Sequence, residues 1–320
     1  MRILILGAAG QVGFELVRSL SGMGEIVAAD RVVDAALGVD LALDIGDLAT
    51  LKSRLIELAP TVIINAAAYT AVDLAEDEPE IANRINHLAL AELGAAARQL
   101  GALVVHYSTD YVFAGGDQSP LREDHATGPV SVYGASKLAG ERALADSGCA
   151  HLLLRTAWVY AARGKNFLLT MLRAAAVRDE LSVVDDQIGC PTTARFLADT
   201  TASMVRHWLA ASADQRAALQ GPCHVVCAGQ VSWCGFARAI IEQACELGLL
   251  PRVTPVRAIR TGEYAAKAPR PAYSVLDTRR LTAKFEITPP GWRTGLRQTL
   301  LELAQARQAL TGAGFEVKRC

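Results

Sequence analysis

Across its 320 residues the sequence has no uninterrupted apolar run approaching the ~20 residues needed to cross a bilayer. It also lacks an excess of either charge. Thirty-two Lys and Arg stand against 33 Asp and Glu, a formal net charge of −1, so no global field draws the chain to nucleic acid or an anionic membrane surface. A local basic pocket for a phosphorylated ligand stays compatible with that balance. Paired cysteines are missing too. The seven thiols, Cys149, Cys190, Cys223, Cys227, Cys234, Cys245 and Cys320, are odd in number and scattered. Cys223 and Cys227 have three residues between them rather than two, and no matching pair follows, which argues against a metal or redox Cys pair and fits reduced thiols in a cytoplasmic protein. The six histidines include no His-x-x-x-His pair, so no zinc or other metal site is expected. There is no internal repeat, and no low-complexity segment beyond runs of alanine.

What is present describes a globular α/β chain. Half of the residues are hydrophobic and a fifth are charged. Met1 leads directly into Arg2–Leu6, too short for a signal-peptide core and read as a first strand. Further strands are predicted at Glu25–Ala29, Thr61–Asn65, Leu103–Ser108 and Leu152–Arg155. Helices are predicted between them at Gln11–Ser21, Leu48–Leu58, Glu80–Leu90 continuing to Leu100, and Val132–Asp146. Continuous apolar strands alternating with helices imply a Rossmann-like, doubly wound parallel sheet. The second half is less regular. Helices are expected at Asn166–Asp179, Phe196–Leu209, Phe236–Leu247 and Thr294–Leu310, a loop at Asp185–Thr193 and a short strand at His224–Cys227. Arg260–Ser274 shows no periodicity, and the last helix runs toward a Gly-containing tail. We expect residues 1–160 to form a dinucleotide-binding domain. Residues 161–320 should form mainly a smaller C-terminal α/β substrate domain, with some segments returning to the first.

Gly7-Ala8-Ala9-Gly10-Gln11-Val12-Gly13 joins the first strand to the first helix. Glycines there allow a tight turn and let a pyrophosphate approach the helix N-terminus, which implies NADPH or NADH as cofactor. Asp30 and Arg31 end the second strand. The acid suits the ribose hydroxyls of NADH and the arginine suits the 2′-phosphate of NADPH, so the two stand side by side and the choice stays open. Asp44 and Ile45 lie in the next crevice, where an adenine contact and a solvated loop acid are both readings of Asp44. Ala66, Ala67 and Ala68 follow the Thr61–Asn65 strand; small side chains there admit a cofactor or tight helix packing.

Tyr133 and Lys137, four residues apart on a helix, share a face. A phenol with a pKa near ~10 needs help to donate a proton at neutral pH, and an adjacent ammonium can stabilise its anion and hold a nicotinamide ribose. Ser108-Thr109-Asp110 closes a strand at the crevice where open α/β sheets bind ligands, and the Thr109 hydroxyl is placed to hydrogen-bond a substrate carbonyl as it becomes an alkoxide. Trp158, Arg173, Arg270 and Arg279 are further candidates for holding a sugar diphosphate and its base.

With these motifs in place the chain resembles, over essentially its full length, the extended short-chain dehydrogenases and within them the dTDP-4-dehydrorhamnose reductases. The resemblance rests on Gly7–Gly13, Asn65–Ala68, His106–Phe113, Val132-Tyr133-Gly134 with Lys137–Glu141, Arg155–Tyr160, Asn166-Phe167, Thr170–Arg173, Asp186–Thr192, and Arg270-Pro271 with Ser274. It implies Tyr133 as proton donor, Lys137 as its modulator and Thr109 as carbonyl partner. Asp110 and Trp158 match substrate-binding positions, and Gly10, Gln11, Val12, Asp30, Asp44, Ile45, Ala66, Ala67, Ala68 and Tyr107 match cofactor positions. Similar dehydratases carry Asp-Glu after the strand-end threonine. Here Asp110-Tyr111 lacks that glutamate, which favours reduction over elimination. Some members dimerise through magnesium held by three glutamates; Glu15 and Glu302 match two, but Arg195 takes the third place, so a monomer or weak homodimer without a bridging metal is expected. A nucleotide-sugar epimerase or dehydratase, and a non-catalytic relative, are the alternatives. The first would leave its cofactor unconsumed, and the second conflicts with intact Thr109, Tyr133 and Lys137.

Overall fold

A computed structural model describes residues 1–312; the Gly-containing tail and Cys320 lie outside the described residues. Arg2–Leu6 (β1), Glu25–Asp30 (β2), Leu41–Ala42 (β3), Val62–Asn65 (β4), Leu103–Thr109 (β5) and His151–Thr156 (β6) pair in parallel, joined by a seventh strand, Gly221–His224. The order across the sheet is Gly221–His224, β6, β5, β4, β1, β2, β3. Val62–Asn65 and Leu103–Thr109 are buried at every residue. That explains why these strands read as unbroken apolar runs, since helices cover both sheet faces. The Gln11–Leu20 and Ala194–Ala210 helices contribute Leu16, Leu20, Leu197 and Val205 to one face. The Leu48–Leu58 and Ala89–Leu100 helices contribute Leu51, Leu55, Leu93 and Ala97 to the other.

The chain reverses its winding between β1 and β4. At such a switch point the connections leave in opposite directions and open a crevice beyond the strands' carboxyl ends. Gly13 packs the first helix against this turn: a Cβ there would overlap the Gly7 carbonyl oxygen. At Gly134 a Cβ would likewise strike the Tyr111 carbonyl oxygen, so glycine lets the Val132–Asp146 helix lie against the turn after β5.

A further core gathers Leu168, Leu181, Val183, Phe236, Ile240, Leu296 and Leu300. Its parallel strand pair, Leu181–Val184 with Val256–Ile259, has no signature in the residue pattern. Two expectations are corrected. The Asp185–Thr193 segment is not all loop, because Ile188–Gly189 pairs with Val231–Ser232 and Thr192–Thr193 with Val159–Tyr160. The strand expected at His224–Cys227 begins and ends three residues earlier, at Gly221–His224, where its neighbour β6 is available. Among the described residues no helix is long and apolar enough to cross a membrane.

Candidate active site

At the switch point lies a cavity of about 660 Å³. Its walls bring together the glycine-loop residues Gly7, Gly10, Gln11 and Val12, the strand-end Asp30 and Arg31, and Asp44 with Ile45. Ala66, Ala67, Ala68 and Tyr107 join them, together with Tyr133 and Lys137. Asp30 steadies the loop by accepting from the backbone N–H of Ala9 at 3.0 Å and of Arg31 at 2.8 Å. No side chain caps the N-terminus of the Gln11–Leu20 helix, which leaves its positive end to a ligand.

The far wall comes from a segment that sequence reasoning passed over. After β6 the chain turns at Gly164, whose φ is +74°, and sets Arg163, Gly164 and Lys165 against the crevice. Asn166 ties this strap to the glycine loop, its Nδ2 donating to Gln11 Oε1 at 2.8 Å. The Arg163 guanidinium lies over the Phe14 ring, and its Nη1 is buried without a hydrogen-bond partner among the described residues. An unmatched cationic donor beside an uncapped helix N-terminus fits the pyrophosphate of a dinucleotide. The only sequence signal for it was a glycine between two cations just past a strand.

Tyr133 and Thr109 meet. Burial pushes the Tyr133 phenol up to about 12, with its hydrogen bond to Thr109 pulling it down and the Asp110 carboxylate pushing it further up. Thr109 Oγ1 accepts from the Tyr111 N–H at 3.2 Å and donates to Asp110 Oδ1 at 3.0 Å. Lys137 lies one turn further along the same helix and lines the same cavity. Its Nζ donates to the Tyr107 carbonyl at 2.6 Å and lies 3.2 Å from His106 Nε2. Burial lowers the Lys137 ammonium to about 8, partly opposed by Glu141.

Asp110 is buried, and its Oδ2 has no hydrogen-bond partner among the described residues. Burial raises its carboxyl to about 6, with hydrogen bonds from Ser274 and Thr109 opposing the rise. Tyr111 stands where a dehydratase has glutamate and packs edge-on against Tyr133, ring centres 5.7 Å apart. Trp158 does not line the cavity. It holds a left-handed backbone at φ +48° and stacks on Trp233 with ring centres 3.5 Å apart, above Gly189, where any Cβ would collide with the indole. A non-glycine residue in that region carries strain. Of the three arginines, Arg270 is the one whose charge reaches Tyr111, and it pairs with Asp73 at 2.8 Å. Arg279 pairs with Asp277, and Arg173 reaches Thr170 on its own helix.

Glu15 and Glu302 do converge, and Arg195 stands between them, 3.3 Å from Glu15 Oε2 and 3.2 Å from Glu302 Oε2. A fixed guanidinium occupies the place a cation would need. Among the described residues no group of three or more His, Cys, Asp or Glu is arranged to hold a metal. Among the described residues, six thiols are free.

Comparison with known proteins gives the same direction throughout. A family model described as the RmlD substrate binding domain matches residues 1–305. The chain is 47% identical over 298 residues to a dTDP-4-dehydrorhamnose reductase of Burkholderia thailandensis, covering 92% of this chain and 96% of that one. It is 42% identical to the enzyme of the same name from Salmonella typhimurium, covering 95% and 98%. It is also similar to a solved dTDP-4-dehydrorhamnose reductase of Bacillus anthracis in complex with NADP, at a TM-score of 0.83 and 33% identity over 94% of this chain and 99% of that one. A UDP-glucose 4-epimerase of Thermus thermophilus, at 21% identity and a TM-score of 0.75 over 95% and 99%, shares the fold.

Proposed function

The chain belongs to the dTDP-4-dehydrorhamnose reductase family, and from that premise we propose how its crevice performs the NAD(P)H-dependent reduction of the 4-keto group of dTDP-4-dehydro-L-rhamnose to dTDP-L-rhamnose. The observation that carries the assignment of roles is the meeting of the Thr109 and Tyr133 hydroxyls beside a dinucleotide-sized crevice. Held in this crevice by the glycine loop, Arg163 and Lys137, a reduced nicotinamide would supply the hydride for C4 of the sugar. Tyr133 delivers the proton to the carbonyl oxygen, and Thr109 holds that oxygen as charge develops on it. Lys137 holds the nicotinamide ribose. Gly7, Gly10, Gln11 and Val12 receive the pyrophosphate, joined by Arg163. Asp30 and Arg31 face the adenosine ribose, Asp44 and Ile45 the adenine, and Ala66, Ala67, Ala68 and Tyr107 the cofactor's flank. Asp110 and Trp158 take the sugar nucleotide.

The half-buried Tyr111 ring where elimination would require a carboxylate supports reduction over dehydration. Residues 1–160 serve the cofactor and 161–320 mainly the substrate, with Gly221–His224 returning to the first sheet. The protein acts in the cytoplasm as a monomer or weak homodimer, with Arg195 in place of a bridging metal. The test is Tyr133→Phe. Turnover should fall by about 10²-fold or more while NADPH affinity holds, the loss typical of a removed general acid. Near-normal turnover in that variant would exclude Tyr133 as proton donor.

A further inference from the structure

Trp158 is held in a place its own backbone resists. It stands two residues beyond Thr156, which ends β6 in register with Thr109 on β5. A bulky residue at φ +48° persists only where its surroundings over-determine it. Here they do so from both faces of the indole. On one face lies Gly189, where even a Cβ would come within 2.5 Å of Trp158 Cε2 and 2.7 Å of Nε1. On the other lies the Trp233 ring, 3.5 Å away between ring centres and 6° from parallel. Phe167 backs Trp233 in turn, with ring centres 4.5 Å apart. The two jaws share one base. Gly189 pairs with Val231 in the short antiparallel ladder of Ile188–Gly189 and Val231–Ser232. Trp233 follows Ser232 directly, and Ser232 Oγ accepts from the Gly235 N–H to cap the helix while donating to Asp185 Oδ1 at 2.5 Å. That ladder fixes the gap in which the indole sits.

We infer that Trp233, with Gly189 as the opposing jaw, is a positioning residue that holds the Trp158 indole in the orientation in which its N–H serves the sugar nucleotide. An indole nitrogen can only donate, and in a packed setting it ordinarily finds an acceptor. The half-buried Trp158 packs its ring against two apolar clusters, yet its N–H meets no acceptor among the described residues. Its place in the chain suits a ligand acceptor. Thr156 and Val159, on either side of it, line the dinucleotide crevice, so Trp158 stands at the rim where a sugar presented to Thr109 must pass. The backbone that carries it leaves the seven-stranded sheet. Its clamp belongs to the other core, where Trp233 and Phe167 pack with Leu168 and Phe236. Without Trp233 one face of the indole is unsupported, and the left-handed backbone is free to relax and swing the N–H away.

The inference rests on the reading that Trp158 takes the sugar nucleotide, and its test separates the two. The chain has four tryptophans, so isotope labelling of tryptophan gives four indole N–H signals in NMR, with that of Trp158 assigned by its loss in Trp158→Phe. Calorimetry with dTDP-L-rhamnose measures sugar-nucleotide affinity, and NADPH titration checks that the crevice is intact. Trp158→Phe should bind dTDP-L-rhamnose about five- to tenfold more weakly, the worth of one hydrogen bond. Trp233→Leu should cost about as much, move the Trp158 N–H signal and leave NADPH affinity unchanged, while Trp233→Phe, which keeps an aromatic jaw, should restore most of the loss. Because Trp233 acts through Trp158, the double variant Trp158→Phe, Trp233→Leu should bind no more weakly than Trp158→Phe alone. Unchanged affinity in Trp158→Phe overturns the substrate role of Trp158, and the proposal with it. A weakened Trp158→Phe beside an unchanged Trp233→Leu, or additive losses in the double variant, leaves that role standing and overturns the positioning by Trp233. If Trp233→Leu does not fold, Gly189→Ala tests the clamp from its other jaw. It should displace the Trp158 signal and weaken dTDP-L-rhamnose binding together; no change in either overturns the proposal.

Discussion

Arg155 grips the Glu141 carboxylate at both ends, Nε to Oε1 at 2.9 Å and Nη2 to Oε2 at 2.7 Å, with both side chains about 5% exposed. The same Oε1 accepts from Ser108 Oγ at 2.5 Å. Three elements therefore meet in one buried cluster: β6, the helix that carries Tyr133, and the end of β5 that carries Thr109. The pair sets the height of the catalytic helix over the sheet. Breaking it from one side leaves a buried charge without a partner, which costs about 3–5 kcal/mol. Glu141→Gln should lose stability of that order in urea unfolding, and a paired Glu141→Leu, Arg155→Met replacement should recover part of it. A Glu141→Gln loss under about 1 kcal/mol would show that the pair does not hold the helix.

Asp110 gives the protein a pH dependence of definite sign. Its carboxyl is raised by burial from 3.8 to about 6, so the protonated form fits the folded state better. The stability this contributes is complete below 3.8 and is lost as pH rises through about 6. The loss amounts to about 3 kcal/mol at neutral pH. Asp110→Asn removes that slope. Relative to the unaltered protein, the variant should gain stability progressively across that window and level off above it. A difference that stays flat with pH would contradict the burial account of Asp110.

Arg163 should matter to cofactor affinity more than to folding. It is half-buried over Phe14, with one nitrogen unpartnered in the crevice wall. Arg163→Ala should weaken NADPH binding about tenfold, the size of one charge-assisted hydrogen bond, with little change in melting temperature. Fluorescence titration measures this directly. Unaltered affinity would remove Arg163 from the pyrophosphate site.

How much of this could be read from residues alone depended on the range of the interaction. The first strand is legible at both ends because Arg2–Leu6 is buried by its immediate neighbours, and the helix at Leu48–Leu58 because its apolar positions repeat locally. The Val132–Asp146 helix buries Ser136, Lys137 and Glu141 and is legible from its Tyr133 and Lys137 spacing instead. Gly7–Gly13 and Tyr133 with Lys137 carried their chemistry in spacings of a few residues. The Gly221–His224 strand was misplaced by three residues since its register is decided by β6, some seventy positions earlier. Leu181–Val184 and Val256–Ile259 are similarly distant from one another, and each is too short to announce a strand without its partner. Arg163 and Lys165 reach the crevice because a glycine turns the chain, which composition does not reveal. Nor could spacing show that Lys137 turns toward His106 and Tyr107, since helix periodicity assigns a face but not the direction of a long side chain.

Net hydride transfer to a sugar ketone is read from stoichiometry. Purified protein mixed with dTDP-4-dehydro-L-rhamnose and a measured amount of NADPH or NADH should oxidise one cofactor for each keto-sugar reduced, read from the fall in nicotinamide absorbance and the yield of dTDP-L-rhamnose. Conversion of the sugar with the reduced cofactor left unconsumed would instead mark an epimerase or dehydratase, and would contradict the account.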